Sequence, residues 1–322
     1  MQISIIIPTY NRENLIKYTL DSLSPLLQPT IELEIIVIDD ASTDNTIDYI
    51  TKNYPNIILL KNTGTGAASA RNYGLQNAKG KYILYLDSDD LLGINYLNTK
   101  IDLLEQNPNI DACYGEYEFF ESNTDFTNEK VIFKHKYPII NNLDSNGIHL
   151  INYLEGNFLP PNTIIWRKDF LARIGGHDEN LSINQDVELF IRGIFNGLKI
   201  IGIKDNTKAY IRNHNLDLRV GSAANVDKKL YQILEIRKTI YEQLGKYGYS
   251  QPIYKKAIST YLFDYWRKLR ISSPDIANAF LTFAKQVYWP LKLQGGLFIS
   301  ILSAIFGAEN AVKLKYFLLK RN

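Results

Sequence analysis

Over residues 1–106, short apolar runs alternate with stretches in which apolar residues recur every three or four positions. Ile3–Ile7, Glu34–Asp39, Ile57–Lys61 and Tyr82–Leu86 are brief runs rich in β-branched and aromatic residues, the pattern of buried strands. Between them, Ile16, Leu20 and Leu23 fall at i, i+4 and i+7, and Ile47, Ile50 and Tyr54 share one helical face. A third helix is expected over Ala67–Asn77, and Asp44 is an acid placed where it suits the opening turn of the second. Strict strand–helix alternation predicts a parallel sheet with right-handed crossovers. Further along, Asn162–Arg167, Lys199–Ile203 and Lys208–Arg212 read as strands and Asp186–Asn196 as a helix. Residues 119–147 are polar and irregular, with the character of an insertion. After about residue 225 the pattern is helical, with Leu230, Ile233, Leu234, Ile240, Tyr241 and Leu244 following a 3.6 period. The pattern contains no internal repeat and no low-complexity segment.

Composition narrows the class. The 322 residues are enough for a full core and two domains, expected at 1–220 and 221–322, and the 45% hydrophobic and 22% charged fractions are those of a folded protein. The single cysteine, Cys113, excludes an internal disulfide framework and a cysteine-based zinc site, which fits a reducing compartment. No basic stretch precedes the short apolar run before Pro8, so no signal peptide is expected. The overall charge of +2 hides an asymmetry: residues 251–322 carry a net +8, and the rest of the chain −6. Segregation on that scale points to an anionic partner for the C-terminal part. Tyr261, Tyr265, Trp266 and Leu269 lie among Lys255, Lys256, Arg267, Lys268 and Arg270, and the apolar run Gly295–Ala308 is flanked by Lys313, Lys315, Lys320 and Arg321. That run is too short for a membrane span, so the expectation is an interfacial anchor, against the alternatives of a helical subdomain with a solvated basic face or an oligomer contact.

The candidate chemistry sits at strand ends. Asp87-Ser88-Asp89-Asp90 follows the fourth strand, where ligands bind in open α/β sheets. Carboxylates spaced i, i+2 supply the hard oxygen donors that Mg²⁺ or Mn²⁺ takes together with a substrate's phosphates. Asp90 reads as a helix cap for a helix starting near Leu91. Asp40 ends the second strand, and its carboxylate can accept the N3–H that uracil offers and cytosine lacks; an N-cap or Asx-turn role is the alternative. Pro8, Thr9 and Tyr10 are placed to wall a base pocket. Gly64-Thr65-Gly66 lacks the third glycine of a dinucleotide fingerprint, because Ser69 stands there, and it follows the third strand rather than the first, so a Rossmann dehydrogenase is excluded. Arg71, after that loop, can reach a pyrophosphate or a base edge.

These motifs, in this order over roughly residues 1–215, resemble the family 2 glycosyltransferases. The resemblance implies the GT-A fold, α/β with a mixed, mainly parallel sheet, plus a helical C-terminal extension. It implies an inverting, metal-dependent transfer of a sugar from a UDP-sugar to a hydroxyl of a glycan or lipid-linked oligosaccharide, in surface polysaccharide biosynthesis on the cytoplasmic face of a membrane. Pro8, Thr9, Tyr10, Arg12, Asp40, Arg71, Asp87 and Ser88 are then expected at the nucleotide, and Asp89, Asp87 and His214 at Mn²⁺ or Mg²⁺. Asp186 is expected as the catalytic base, with Gln185 standing where the family usually has Glu. Gly176, His177 and Trp166 are expected on the acceptor side, and Arg212 near a phosphate. Nucleic acid is not among the expected partners. A nucleotidyltransferase and a non-catalytic sugar-nucleotide or glycan-binding module are the alternatives; the first would release pyrophosphate, and the second would not turn over.

Overall fold

The computed structural model describes residues 2–26, 31–121, 130–134, 137–213 and 226–288. Its main sheet has seven strands: β1 (Ile3–Thr9), β2 (Leu33–Asp39), β3 (Ile58–Lys61), β4 (Tyr82–Tyr85), β6 (Ala112–Tyr114), β9 (Ile164–Arg167) and β10 (Ile200–Gly202). Their order across the sheet is β10-β6-β9-β4-β1-β2-β3, and every pairing is parallel except the two made by β9. The central strands β1, β2 and β4 are covered on both faces, which is why their sequences are nearly continuous apolar runs rather than alternating ones. Two polar exceptions, Ser4 on β1 and Glu34 on β2, are paired. Ser4 hydroxyl donates to the buried Glu34 carboxylate, which also accepts the N–H groups of Lys79 and Gly80.

The predicted helices form as α1 (Ile16–Leu23), α2 (Thr46–Asn53) and α3 (Gly66–Asn77). Ile16, Leu20 and Leu23 are buried, as their spacing requires. α3 packs close against the sheet because its inner face is small: a Cβ on Gly74 would lie 2.4 Å from Ile6 Cγ2. α4 (Asn98–Gln106), α5 (Asn146–Leu154), α6 (Lys168–Ile174) and α7 (Gln185–Phe195) follow.

A second sheet of order β5-β11-β7-β8 joins β5 (Leu91–Leu92), β7 (Glu116–Glu121), β8 (Lys130–Lys134) and β11 (Lys208–Arg212). Two expectations change here. The stretch from residue 119 is not wholly irregular, because β7 pairs in parallel with β11 and β8 returns antiparallel to β7. No helix begins at Leu91: Leu91 and Leu92 pair with Tyr210 and Ala209, and Asp90 accepts the Arg212 backbone N–H at 2.8 Å, so it anchors β11 instead of capping a helix.

The chain divides into two compact units, one reaching to His149 and resuming over Asn157–Val226, the other made of Leu150–Gly156 and the chain from Asp227 on. In the second unit lie α8 (Val226–Leu244, apart from its first residue), α9 (Pro252–Leu269) and α10 (Pro274–Val287). The buried Arg237 donates to Tyr153 O at 3.0 Å and lies 4.0 Å over the Tyr261 ring. Tyr265 stacks on Phe280, and Trp266 is buried. These aromatics, expected at an interface, pack within their own unit, while Arg267 and Lys268 are exposed. The apolar run Gly295–Ala308 and the basic residues after it lie outside the described residues. Among the described residues, no helix is long and apolar enough to cross a membrane.

Candidate functional site

β1, β2 and β4 run parallel and in register, so their C-terminal ends come out side by side, with Thr9 opposite Asp39. The chain turns sharply there: Asn11 and Ala41 adopt left-handed backbone at φ 50° and 65°. For alanine that conformation is unfavourable, and such positions gather at functional sites. The two turns are stitched together. Asp40 N–H donates to Thr9 O at 2.8 Å, Thr43 N–H to Asn11 Oδ1 at 2.8 Å, and Arg12 N–H to Thr46 Oγ1 at 2.8 Å. Between these ends and α3 opens a cavity of about 330 Å³ lined by Pro8, Thr9, Tyr10, Arg12, Asp40, Ala67, Arg71, Asp87, Ser88 and Asp89. Three buried polar atoms of its lining, Thr9 Oγ1, Arg12 Nε and Arg71 Nε, meet no partner among the described residues, a state that calls for a polar ligand or water.

The glycine loop serves Asp40. Gly66, at φ 86°, turns its N–H onto both Asp40 oxygens at 3.0 and 2.8 Å, and Asn62 Nδ2 donates to Oδ1 at 2.8 Å. Both donors fix the carboxylate and leave Oδ2 the lone-pair capacity to accept another N–H. Asn62 had no signal in the sequence beyond its place just after a strand.

A chain of charge crosses the floor. The Arg71 guanidinium, 6% exposed, meets Asp87 Oδ1 at 2.8 Å, Gln185 Oε1 at 3.2 Å and Asp186 Oδ1 at 3.8 Å. It thus bridges the strand-end acids to the start of α7, 114 residues away from Gln185 in sequence. Arg12 lies 3.5 Å from Asp89. Arg212, expected near a phosphate, is buried: its Nε donates to Asp89 O at 2.9 Å and its guanidinium packs 4.6 Å from the Phe120 ring centre. Burial, then the charges of Asp89 and Asp186, raise the pKa of Asp87 against the opposing Arg71. Burial, then Asp89 and Asp87, push Asp90 well above the carboxylate range. Such mutual opposition marks a cluster short of positive charge. Among the described residues, no three His, Cys, Asp or Glu side chains converge as a metal centre. His214 lies outside the described residues.

Asp186 stands in the first turn of α7, whose entry is a left-handed Asn184 at φ 57°. Burial would raise its pKa, but Arg71 and the hydrogen bond from His177 outweigh burial and bring it to about 2. His177 Nε2 is 3.1 Å from Asp186 Oδ1. The loop carrying it is clamped by Asn72, which accepts His177 N–H and donates to His177 O, both at 2.8 Å. Gly176, at φ 66°, passes so near that a Cβ would lie 2.5 Å from Asn72 Oδ1. Asn72 had no signal in the sequence, since only the fold places it against residue 177.

Two acceptor-side expectations require correction. Trp166 is 2% exposed, on β9, stacked on Phe170 and edge-on to Phe190 in the core. His177 is 3% exposed and faces Asp186 and Tyr85, so its side chain does not front a bulky acceptor.

The profile of the family Glycosyl transferase family 2 matches residues 4–170, from β1 into α6. A poly(ribitol-phosphate) beta-glucosyltransferase of Bacillus spizizenii is 35% identical over 150 residues, 45% of this chain and 23% of that protein. The Escherichia coli UDP-Glc:alpha-D-GlcNAc-diphosphoundecaprenol beta-1,3-glucosyltransferase WfgD is 40% identical over 124 residues, 38% of this chain and 48% of that one. The chain therefore spans less than half the length of these two curated relatives. The crystal structure of Staphylococcus aureus TarS 1–349 in complex with UDP-GlcNAc superposes with a TM-score of 0.67 at 19% identity, covering 97% of this chain and 89% of that one, a likeness of fold: GT-A. Carboxylates at the ends of parallel strands, a glycine turn and a buried arginine around one cavity are thus framed by a profile match over more than half of the sequence, and the chain belongs to glycosyl transferase family 2.

Proposed function

We propose that the protein is an inverting glycosyltransferase that moves a sugar from a UDP-sugar to a hydroxyl of a glycan or lipid-linked oligosaccharide. The observation that carries this reading is the convergence of Asp40, Arg71, Asp87 and Asp89 on one cavity, with Asp186 tied to the same guanidinium. Asp40 accepts the uracil N3–H, Pro8 and Tyr10 flank the base, and Arg12 lies beside the diphosphate. Asp89, with Asp87, would hold Mg²⁺ or Mn²⁺. The donor set fits such an ion, because Mg²⁺ commonly takes one or two carboxylates and completes its shell with phosphate and water. When bound, the cation would neutralise charge developing on the leaving diphosphate. Asp186, ionised at neutral pH, takes the proton of the acceptor hydroxyl as that oxygen bonds to the anomeric carbon. The bond from that carbon to the diphosphate oxygen breaks, and UDP departs with the electron pair. One displacement on the face opposite the leaving group inverts the centre. The donor named for WfgD and the ligand in the TarS crystal support a uridine nucleotide, and the acceptor named for WfgD supports a lipid-linked one.

The test is a thermal-shift panel of UDP, GDP, CDP and dTDP with Mn²⁺, on wild type and Asp89→Ala. A ligand at a hundred times its Kd stabilises by about 2.7 kcal/mol. UDP is expected to raise the melting temperature, and Asp89→Ala to remove that rise. No response to any nucleotide would sink the reading. The net +8 of residues 251–322 supports a peripheral hold on an anionic leaflet. The protein should sediment with anionic vesicles, and should stop doing so when Lys313, Lys315, Lys320 and Arg321 are changed to Glu.

A further inference from the structure

His177 is a buried side chain with one polar atom engaged and one idle. Its Nε2 meets Asp186 Oδ1 at 3.1 Å, while Nδ1 is buried and meets no partner among the described residues. A carboxylate oxygen only accepts, so the contact requires the proton on Nε2. A second proton, on Nδ1, would be a buried donor with nothing to receive it, which costs about 1–3 kcal/mol or more. The ring is therefore neutral, in the Nε2–H tautomer. Burial, the largest influence, lowers its pKa, and Arg71 and Arg192 add to that against Asp186.

The ring has no freedom to turn away. It stands edge-on to Tyr85, with centroids 4.9 Å apart and planes at 77°. Its own peptide groups are held on both sides by Asn72. The preceding carbonyl, Gly176 O, accepts from Arg192 Nη2 at 2.7 Å, and Arg192 is itself fixed on α7 by Glu188. The imidazole thus sets the angle of Asp186 from a rigid loop. Its contact and that of Arg71 both fall on Oδ1, so Oδ2 is the oxygen assigned to the acceptor's proton.

We propose that His177 is a positioning residue for Asp186: as a fixed, neutral Nε2–H donor it holds the carboxylate in the orientation from which it deprotonates the acceptor. This rests on Asp186 being the base. Among the described residues Nδ1 meets no group to which it could pass a proton, so the role is positioning rather than proton relay.

The test is steady-state turnover of a UDP-sugar by wild type, His177→Phe, His177→Gln, Asp186→Asn and Asp186→Asn/His177→Phe. Phe keeps the packing on Tyr85 without the donor, and Gln carries an N–H at similar reach. Loss of a hydrogen bond to a charged group should lower kcat roughly 10- to 100-fold in His177→Phe, with donor KM and the UDP thermal shift unchanged. His177→Gln should recover most of that loss, and His177→Phe should cost nothing further once Asp186 is Asn. Wild-type kcat in His177→Phe, or an equal loss in the Asp186→Asn background, would overturn the proposal. Wild-type turnover in Asp186→Asn would instead overturn the base itself. If His177→Phe does not fold, ¹⁵N NMR of the wild-type imidazole decides: a protonated Nε2 with bare Nδ1 at neutral pH is expected, and a protonated Nδ1 would refute it.

Discussion

Replacing Asp186 by Asn should weaken both the fold and the chemistry. Arg71 and His177 bring the carboxylate from 3.8 down to about 2. At about 1.4 kcal/mol per pKa unit, that depression is worth about 2 kcal/mol, an upper figure because the side chain is 30% exposed. The sign follows from linkage. A carboxylate whose folded pKa lies below its unfolded value stabilises fully above the unfolded value, here near 3.8. It loses that contribution as pH falls through the folded value near 2. Urea denaturation should therefore show Asp186→Asn less stable than wild type by about 1–2 kcal/mol at pH 7, with roughly half that difference by pH 3. An amide oxygen still accepts from His177 and Arg71 still pairs with Asp87, so collapse is not expected. Turnover should fall by about 10²–10⁴-fold, the usual share of a general base. A variant as stable as wild type at pH 7 would refute the electrostatic reasoning, and turnover within about tenfold of wild type would refute the assignment of the base.

Three further outcomes follow from particular contacts. Asp40→Asn should cut the preference for UDP over CDP by roughly 10-fold or more in competition binding, since a neutral amide oxygen accepts the uracil N3–H more weakly than a carboxylate and the new amide N–H can donate to the cytosine N3; unchanged selectivity would remove Asp40 from the base pocket. Gly176→Ala should destabilise by about 1–2 kcal/mol from its left-handed backbone, with the contact on Asn72 added, measurable as a lower melting temperature. Cys113 is buried, with its thiol pKa pushed up to about 12 by burial, so it should react with iodoacetamide only on unfolding, and rapid labelling of native protein would contradict the fold.

The alternating pattern of residues 1–106 was enough to determine the strands and helices of the parallel half, because a strand covered on both faces must be apolar throughout and a covered helix must be apolar on one side. It also placed Asp40, Asp87 and Asp89 at strand ends, where parallel strands in register bring residues far apart in sequence into one cavity. Other features were decided only in three dimensions. Leu91 and Leu92 are too short a run to declare themselves a strand, and needed β11 as a partner. Arg71, read as an arm toward a phosphate or base edge, lines the cavity and is also a buried bridge, because only the fold brings Gln185 and Asp186 against α3. Trp166 is core because β9 enters the sheet antiparallel beside β4 and β6, a pairing that no local pattern encodes. His177 and Asn72 likewise meet only in the folded chain, 105 residues apart in sequence. Periodicity reports what each segment buries, whereas the partner that an amide, a guanidinium or an imidazole finds depends on where the tertiary fold sets the other half of the bond.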